Sequence, residues 1–366
     1  MLIDKKVMLS LENLLLVISA TTTGTLLLIG GIITFRYAIK RNNRLIFLFS
    51  AMWLLYSVFW FIDAAAHYFY NTFLMAIAII PQLIGVPCFI IFIELSRKEN
   101  VSPLKVTILF VISFLLLFVT FLPGGLEVIL GYGVHNVGLL RIIQIVWILY
   151  FVSLYFIWSY QTWRKAPNEL KRLVTWLLFG STLFSIVTAL MYAVGSFFRI
   201  FNSIAFFING IGAFITIIAI LKDPKIIYIL PFKAYRILVI NTNEGTPLFK
   251  YDWAKIGEIE ENIFSMVLQA VGTVLDEILK KGEVREIQMD RAVLLIQHEK
   301  RYPIASILIT SRSTKSLRYG LKKFNDQFIS NFYSEQDDLY EVRKFEEAKK
   351  LVEVIFDFVP KYGRET

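Results

Sequence analysis

The sequence predicts two unlike parts: an all-α seven-helix transmembrane bundle, then an α+β cytoplasmic domain built on a five-stranded antiparallel sheet. Three observations predict it. Of 366 residues, 56% are hydrophobic and only 18% charged, where soluble globular chains carry about 25% charged residues. The charge is unevenly placed: residues 1–221 hold 15 Lys and Arg against 7 Asp and Glu, and residues 222–366 hold 23 against 22. The formal +9 therefore belongs almost wholly to the apolar half, where it reads as a membrane-orientation signal rather than a nucleic-acid footprint. The third observation is a change of period after about residue 234, from long apolar runs to alternating strands and amphipathic helices.

A helix needs about 20 apolar residues to cross a bilayer core of roughly 30 Å. Seven such runs occur, at about 13–35, 44–66, 73–95, 104–122, 142–160, 173–195 and 200–221. The first is too long for a signal-peptide core and shows no convincing cleavage site, so a retained helix is expected. Pro81 and Pro87 are expected to kink the third span without ending it.

Orientation follows from the short loops. Arg36, Lys40, Arg41 and Arg44 in the first, Arg97, Lys98 and Lys105 in the third, and Arg164, Lys165, Lys171 and Arg172 in the fifth put eleven basic residues on one side. The second, fourth and sixth loops offer only Arg141 and Arg199, with Lys5 and Lys6 in the N-terminal tail. The N-terminus is expected outside a cell membrane and the charged C-terminal half in the cytoplasm.

Within the second span, Tyr56, Trp60, Asp63 and His67 recur at intervals of four, three and four, on one stripe near the outer end. An ionisable residue in a span faces the bundle or water, so the stripe is a candidate ligand pocket in which Asp63 holds a cation or polar ligand. The alternative is an interfacial aromatic anchor with Asp63 reaching headgroup water. Gln82, Gln144, Asn202 and Asn209 are the other polar residues in the spans, and interhelical hydrogen bonding accounts for them. Residues 200–221 contain no lysine for a retinal Schiff base. Without an internal repeat or midplane charges, transport is also disfavoured.

One cysteine, Cys88, allows neither an intramolecular disulfide nor a multi-cysteine metal site. The three histidines, His67, His135 and His298, are far apart in sequence, which speaks against zinc or haem. No cofactor and no nucleic-acid partner is expected. Over residues 13–221 the basic inner loops, outer aromatics and direct run into a second module resemble the seven-helix sensor region found on some prokaryotic histidine kinases. The likeness is one of topology.

After the connector at 222–234, strands are predicted at 235–240 and 248–253, joined by polar and glycine turn residues. A helix over 258–281 follows, with Glu258, Glu260 and Glu261 at its positive N-terminal end, Lys280 and Lys281 at the other, and Gly282 as its stop. Three strands are predicted at 284–289, 292–298 and 303–310. A helix over 314–333 is marked by Leu317, Leu321, Phe324 and Phe328, and a last one spans 338–357 with a tail that also alternates like a strand.

That ββαβββαα order, with residues 245–251 closing the first hairpin and Leu317, Arg318, Leu321 and Phe324 opening the next helix, resembles the longin and roadblock superfamily over 235–358. The resemblance implies a non-enzymatic platform that forms dimers and binds small Ras-like GTPases. The 258–281 helix bears apolar residues over roughly 220° of its circumference, wider than one sheet face requires. Phe264, Leu268, Val271 and Leu275 are accordingly a candidate partner surface, or else the seat of the final helix.

A histidine kinase is the obvious enzymatic expectation for a sensor-like bundle, and Gln297 to Pro303 echoes a phosphoacceptor box. Yet His298 ends a strand-like run, only 68 residues follow it, and no glycine-rich nucleotide motif is present. Acidic pairs such as Asp337 with Asp338 and Glu346 with Glu347 alternate with basic residues as on solvated faces. The expected function is therefore non-enzymatic: a receptor-like membrane protein whose C-terminal module recruits or regulates a small GTPase. The alternatives are a transporter or channel with a regulatory domain, and a membrane scaffold without a ligand.

Overall fold

The computed structural model describes residues 10–41, 43–98, 101–195, 197–242, 246–254, 285–290, 292–299, 301–332, 345 and 347–362. The chain divides into two units, residues 1–165 with 172–223, and residues 166–171 with 224–366.

Among the described residues, seven helices are long and apolar enough to cross a membrane: α1 Leu11–Arg41, α2 Arg44–Phe69, α3 Thr72–Lys98, α4 Pro103–Thr120, α5 Gly138–Lys165, α6 Asn168–Gly195 and α7 Ile200–Lys222. Their ends carry ordinary helix punctuation. Asn43 Oδ1 accepts from the amides of Leu45 and Ile46 at the start of α2, and Asn71 Oδ1 accepts from Phe73 and Leu74 at the start of α3. Helix α3 continues through Pro81 and Pro87. Large side chains such as Phe114, Phe118, Ile142 and Phe179 remain exposed on the bundle, as a lipid-facing surface requires. The chain is a multi-pass membrane protein.

Helix α1 packs between α2 and α7, α2 against α3, α4 against α5, and α6 against α7. Small residues let these backbones approach, which compensates for the weak hydrophobic drive between helices in lipid. A Cβ on Gly212 would lie 2.5 Å from the Phe184 amide nitrogen and 2.7 Å from the Gly180 carbonyl oxygen. Helix α6 takes one π-helical turn at Leu183–Val187, and Asn209 Nδ2 of α7 donates to the Phe184 carbonyl there at 3.3 Å. That turn places the Phe184 ring against Trp53 at 5.6 Å and Tyr155 at 5.4 Å. With Phe49 and Phe89 these rings form an aromatic cluster in the bundle.

Between α4 and α5 the chain forms an antiparallel hairpin of β1 Leu126–Ile129 and β2 Gly133–Asn136. The sequence reading treats this stretch only as a loop.

In the second unit a single 3-10 turn, Pro224–Tyr228, leads to β3 Ala234–Asn241 and β4 Pro247–Asp252. Then come β5 Glu286–Gln288, β6 Val293–His298, β7 Ile304–Thr310, α8 Lys315–Phe332 and α9 Ala348–Ile355. The sheet order is β4-β3-β7-β6-β5, and every neighbouring pair is antiparallel. The inward residues of one face, including Val239, Leu295 and Leu308, pack with Leu321, Phe324 and Phe328 of α8 and Val352 and Phe356 of α9. Leu238, Leu294 and Ile307 point to the opposite face and form a second cluster. His298 ends a strand, as its flanking pattern indicates.

The tail after α9 forms turns rather than a strand, because Phe356 and Val359 still pack into the α8-side core. The predicted helix over 258–281, and with it Phe264, Leu268, Val271 and Leu275, lies outside the described residues. So does 338–344, the start of the predicted last helix.

Candidate functional site at the hairpin end of the bundle

The predicted stripe is buried along its whole length. Tyr56, Trp60, Asp63 and His67 are 8%, 2%, 5% and 4% exposed. The Asp63 carboxylate is enclosed by protein instead of extending outward. Helical spacing stacks the four on the face of α2 that meets α6 and α7: Trp60 packs edge-on to Phe206 at 4.6 Å, and Phe206 in turn contacts Tyr192 at 5.7 Å. Tyr56 shares a side-chain hydrogen bond with Gln82 of α3, and Tyr192 lies in the electrostatic field of Asp63.

Two polar atoms of this cluster have no hydrogen-bond partner among the described residues, Asp63 Oδ2 and Trp60 Nε1. His67 Nε2 lies 3.8 Å from Asp63 Oδ2, beyond hydrogen-bond range. A buried carboxylate oxygen and a buried indole N–H left unmatched each cost on the order of 1–3 kcal/mol. Such atoms are the ones a bound cation, polar ligand or water would satisfy.

The hairpin closes over this end. The Val134 main-chain N–H donates to His67 Nδ1 at 3.3 Å, so Nδ1 carries no proton and the neutral imidazole has its N–H on Nε2, facing Asp63. Gly133, at φ +110°, permits the approach: a Cβ there would sit 2.1 Å from His67 Nδ1. Tyr132 stacks on His135 at 4.6 Å, donates to the Arg199 carbonyl at 3.1 Å and accepts from Asn202 Nδ2 at 2.9 Å, with the Arg199 guanidinium 4.5 Å above its ring. Asn136 donates to Gln144, and Ser10 donates to the Gly131 carbonyl. From α1, the buried Asn13 amide donates to the His67 carbonyl at 3.3 Å and the Tyr70 hydroxyl at 2.9 Å.

On the hairpin, burial first, and then the charges of Arg199 and Arg141, push His135 down to about 4. Burial raises Tyr132, against the opposing effects of Asn202 and Arg199. Both side chains are neutral at pH 7.

The sequence pattern brought the four stripe residues together correctly but missed what covers them. His67 and His135, distant in sequence, lie 6.1 Å apart. Asn202 bonds Tyr132 of the hairpin and also the Gly195 carbonyl of α6, Gln144 bonds Asn136 of the hairpin, and Asn209 makes an interhelical bond. The missed signal was Gly131-Tyr132-Gly133 between two short apolar runs, which is hairpin turn chemistry. Among the described residues no group of three or more His, Cys, Asp or Glu is placed to hold a metal ion.

At the opposite end of the bundle, Glu94 is 2% exposed and paired with Lys105 at 2.6 Å and Arg97 at 3.4 Å. This pair fastens the α3–α4 turn and leaves little unsatisfied.

No protein-family model matches the chain, and comparison with curated proteins and with solved structures finds no match.

Proposed function

We propose that this is a receptor-like protein of the cell membrane, with its N-terminus outside, whose cytoplasmic C-terminal module recruits or regulates a small Ras-like GTPase. The observation that carries the receptor half is the enclosed Asp63 carboxylate with an unpartnered oxygen beneath the hairpin. A buried site of unmatched polar atoms suits ligand capture, because a ligand that matches them better than water favours the liganded state.

Transport is less well supported. The stripe meets the Trp53, Phe89, Tyr155 and Phe184 aromatic cluster, so its polar character does not continue along the bundle. For the module, support comes from its five antiparallel strands and two helices, which carry the described part of the longin and roadblock element order. Such modules work through surfaces, and no catalytic residue is assigned.

The test is affinity capture from native cytosol with the full chain in lipid nanodiscs, with GDP or a GTP analogue added. A small GTPase enriched in one nucleotide state is expected. Absence of any GTPase in both states would remove the recruitment reading.

A further inference from the structure

The contact between His67 and the hairpin has a chemical asymmetry that a simple packing contact lacks. His67 uses Nδ1 as an acceptor for the Val134 N–H. A proton taken up by the ring must go on that nitrogen, since Nε2 already holds one. The acceptor then becomes a donor pointing at another donor, and the bond is replaced by repulsion. Asp63 Oδ2 lies 3.8 Å from Nε2, beyond hydrogen-bond range and on the far side of the ring from the hairpin, so it does not replace the lost Val134 contact.

On the hairpin, the half-buried His135 lies 6.1 Å from His67 and stacks on Tyr132 under the positive charges of Arg199 and Arg141. A second proton there is opposed by those charges while the hairpin is seated, and is free to bind once it lifts. Glu12 of α1 acts on Tyr132 rather than on either histidine, and Tyr56 and Tyr192 face Asp63.

We infer that the hairpin Leu126–Asn136 is an acid-released latch over Asp63, seated while His67 is neutral and lifted when His67 and His135 take up protons. At the two histidines the lifted state binds more protons than the seated state, so through them the seated state is full at neutral and higher pH and is lost as pH falls. With one histidine titrating, the lifted-to-seated ratio rises up to tenfold per pH unit below about 6.5, and with two up to a hundredfold. The latch stands whether or not the C-terminal module binds a GTPase.

The test uses the full chain in nanodiscs, with Cys88→Ala as background and spin labels at Leu130→Cys on the exposed hairpin tip and Leu104→Cys on exposed α4. The distance distribution is recorded from pH 8 to pH 4.5. A narrow distribution at pH 8 that broadens and shifts on acidification is expected. His67→Gln, whose amide keeps an acceptor at every pH, should make the dependence about tenfold per pH unit shallower. The double variant with His135→Gln should stay seated throughout. An unchanged distribution in the parent protein, or release of the double variant over the parent's pH range, would overturn the inference. If His67→Gln does not fold, His135→Gln alone decides: it should keep a transition of about tenfold per pH unit, and loss of the whole transition would show that His67 is not the latch.

Discussion

Gly133 and His67 meet closer than any side chain on residue 133 would allow, since a Cβ built there falls 2.1 Å from the imidazole Nδ1. The hairpin owes its seat to a missing side chain as much as to a hydrogen bond. Gly133→Ala adds both that clash and an unfavourable φ of +110°. A loss of about 1–3 kcal/mol in stability is expected, read as a lower thermal midpoint in nanodiscs. An unchanged midpoint would mean that the hairpin is not seated on α2.

At Gly212 the neighbours are backbone atoms, so they cannot turn aside. Gly212→Ala should force α6 and α7 apart at the π-helical turn and cost about 1–3 kcal/mol by thermal unfolding. A silent substitution would mean that the two helices are not in close contact.

The Glu94 pair is asymmetric, because the Glu94 side chain is 3% exposed and that of Lys105 is 30% exposed. Removing Lys105 leaves the confined carboxylate only its longer Arg97 contact at 3.4 Å, whereas removing the carboxylate lets Lys105 turn to water. Lys105→Met is therefore expected to destabilise more than Glu94→Gln, by about 1–2 kcal/mol. The reverse order in paired thermal melts would contradict this placement.

Legibility in the sequence divided by the range of the interaction. The spans, the strands and α8 follow from local period and hydropathy; the second and third spans start within a residue of where they are expected because caps such as Asn43 and Asn71 are local too, while α1 runs six residues past its expected end. The Tyr56 to His67 stripe was also readable, since one helix brings it together. Its roof was not: His67 to Val134 spans 67 residues, and Tyr132 to Asn202 spans 70. Nothing in a periodic pattern says that a short loop hairpin will fold back onto the bundle. The burial of Asp63 depends on which helices pack against that face of α2, which the period of one helix does not state.

In the second unit, burial holds the Tyr362 phenol above the usual tyrosine range, and its hydroxyl has no hydrogen-bond partner among the described residues. A folded-state value above the unfolded one means that stability is complete below the unfolded value of about 10 and is lost as pH rises through it. Tyr362→Phe should cost less than about 1 kcal/mol at pH 7 and should reduce the loss between pH 7 and pH 10.5. An equal alkaline loss in the Phe variant would assign that loss to other groups.

Signalling from the hairpin site to a cytosolic GTPase requires the hairpin and the C-terminal module to lie on opposite sides of the membrane. The most direct measurement is labelling of intact cells with a membrane-impermeant maleimide, in the Cys88→Ala background, at Leu130→Cys on the hairpin and at Tyr319→Cys on α8, both exposed. Leu130→Cys is expected to label in intact cells, and Tyr319→Cys only after permeabilisation. Labelling of Tyr319→Cys from outside, or of both positions from the same side, would contradict a receptor that recruits its partner in the cytoplasm.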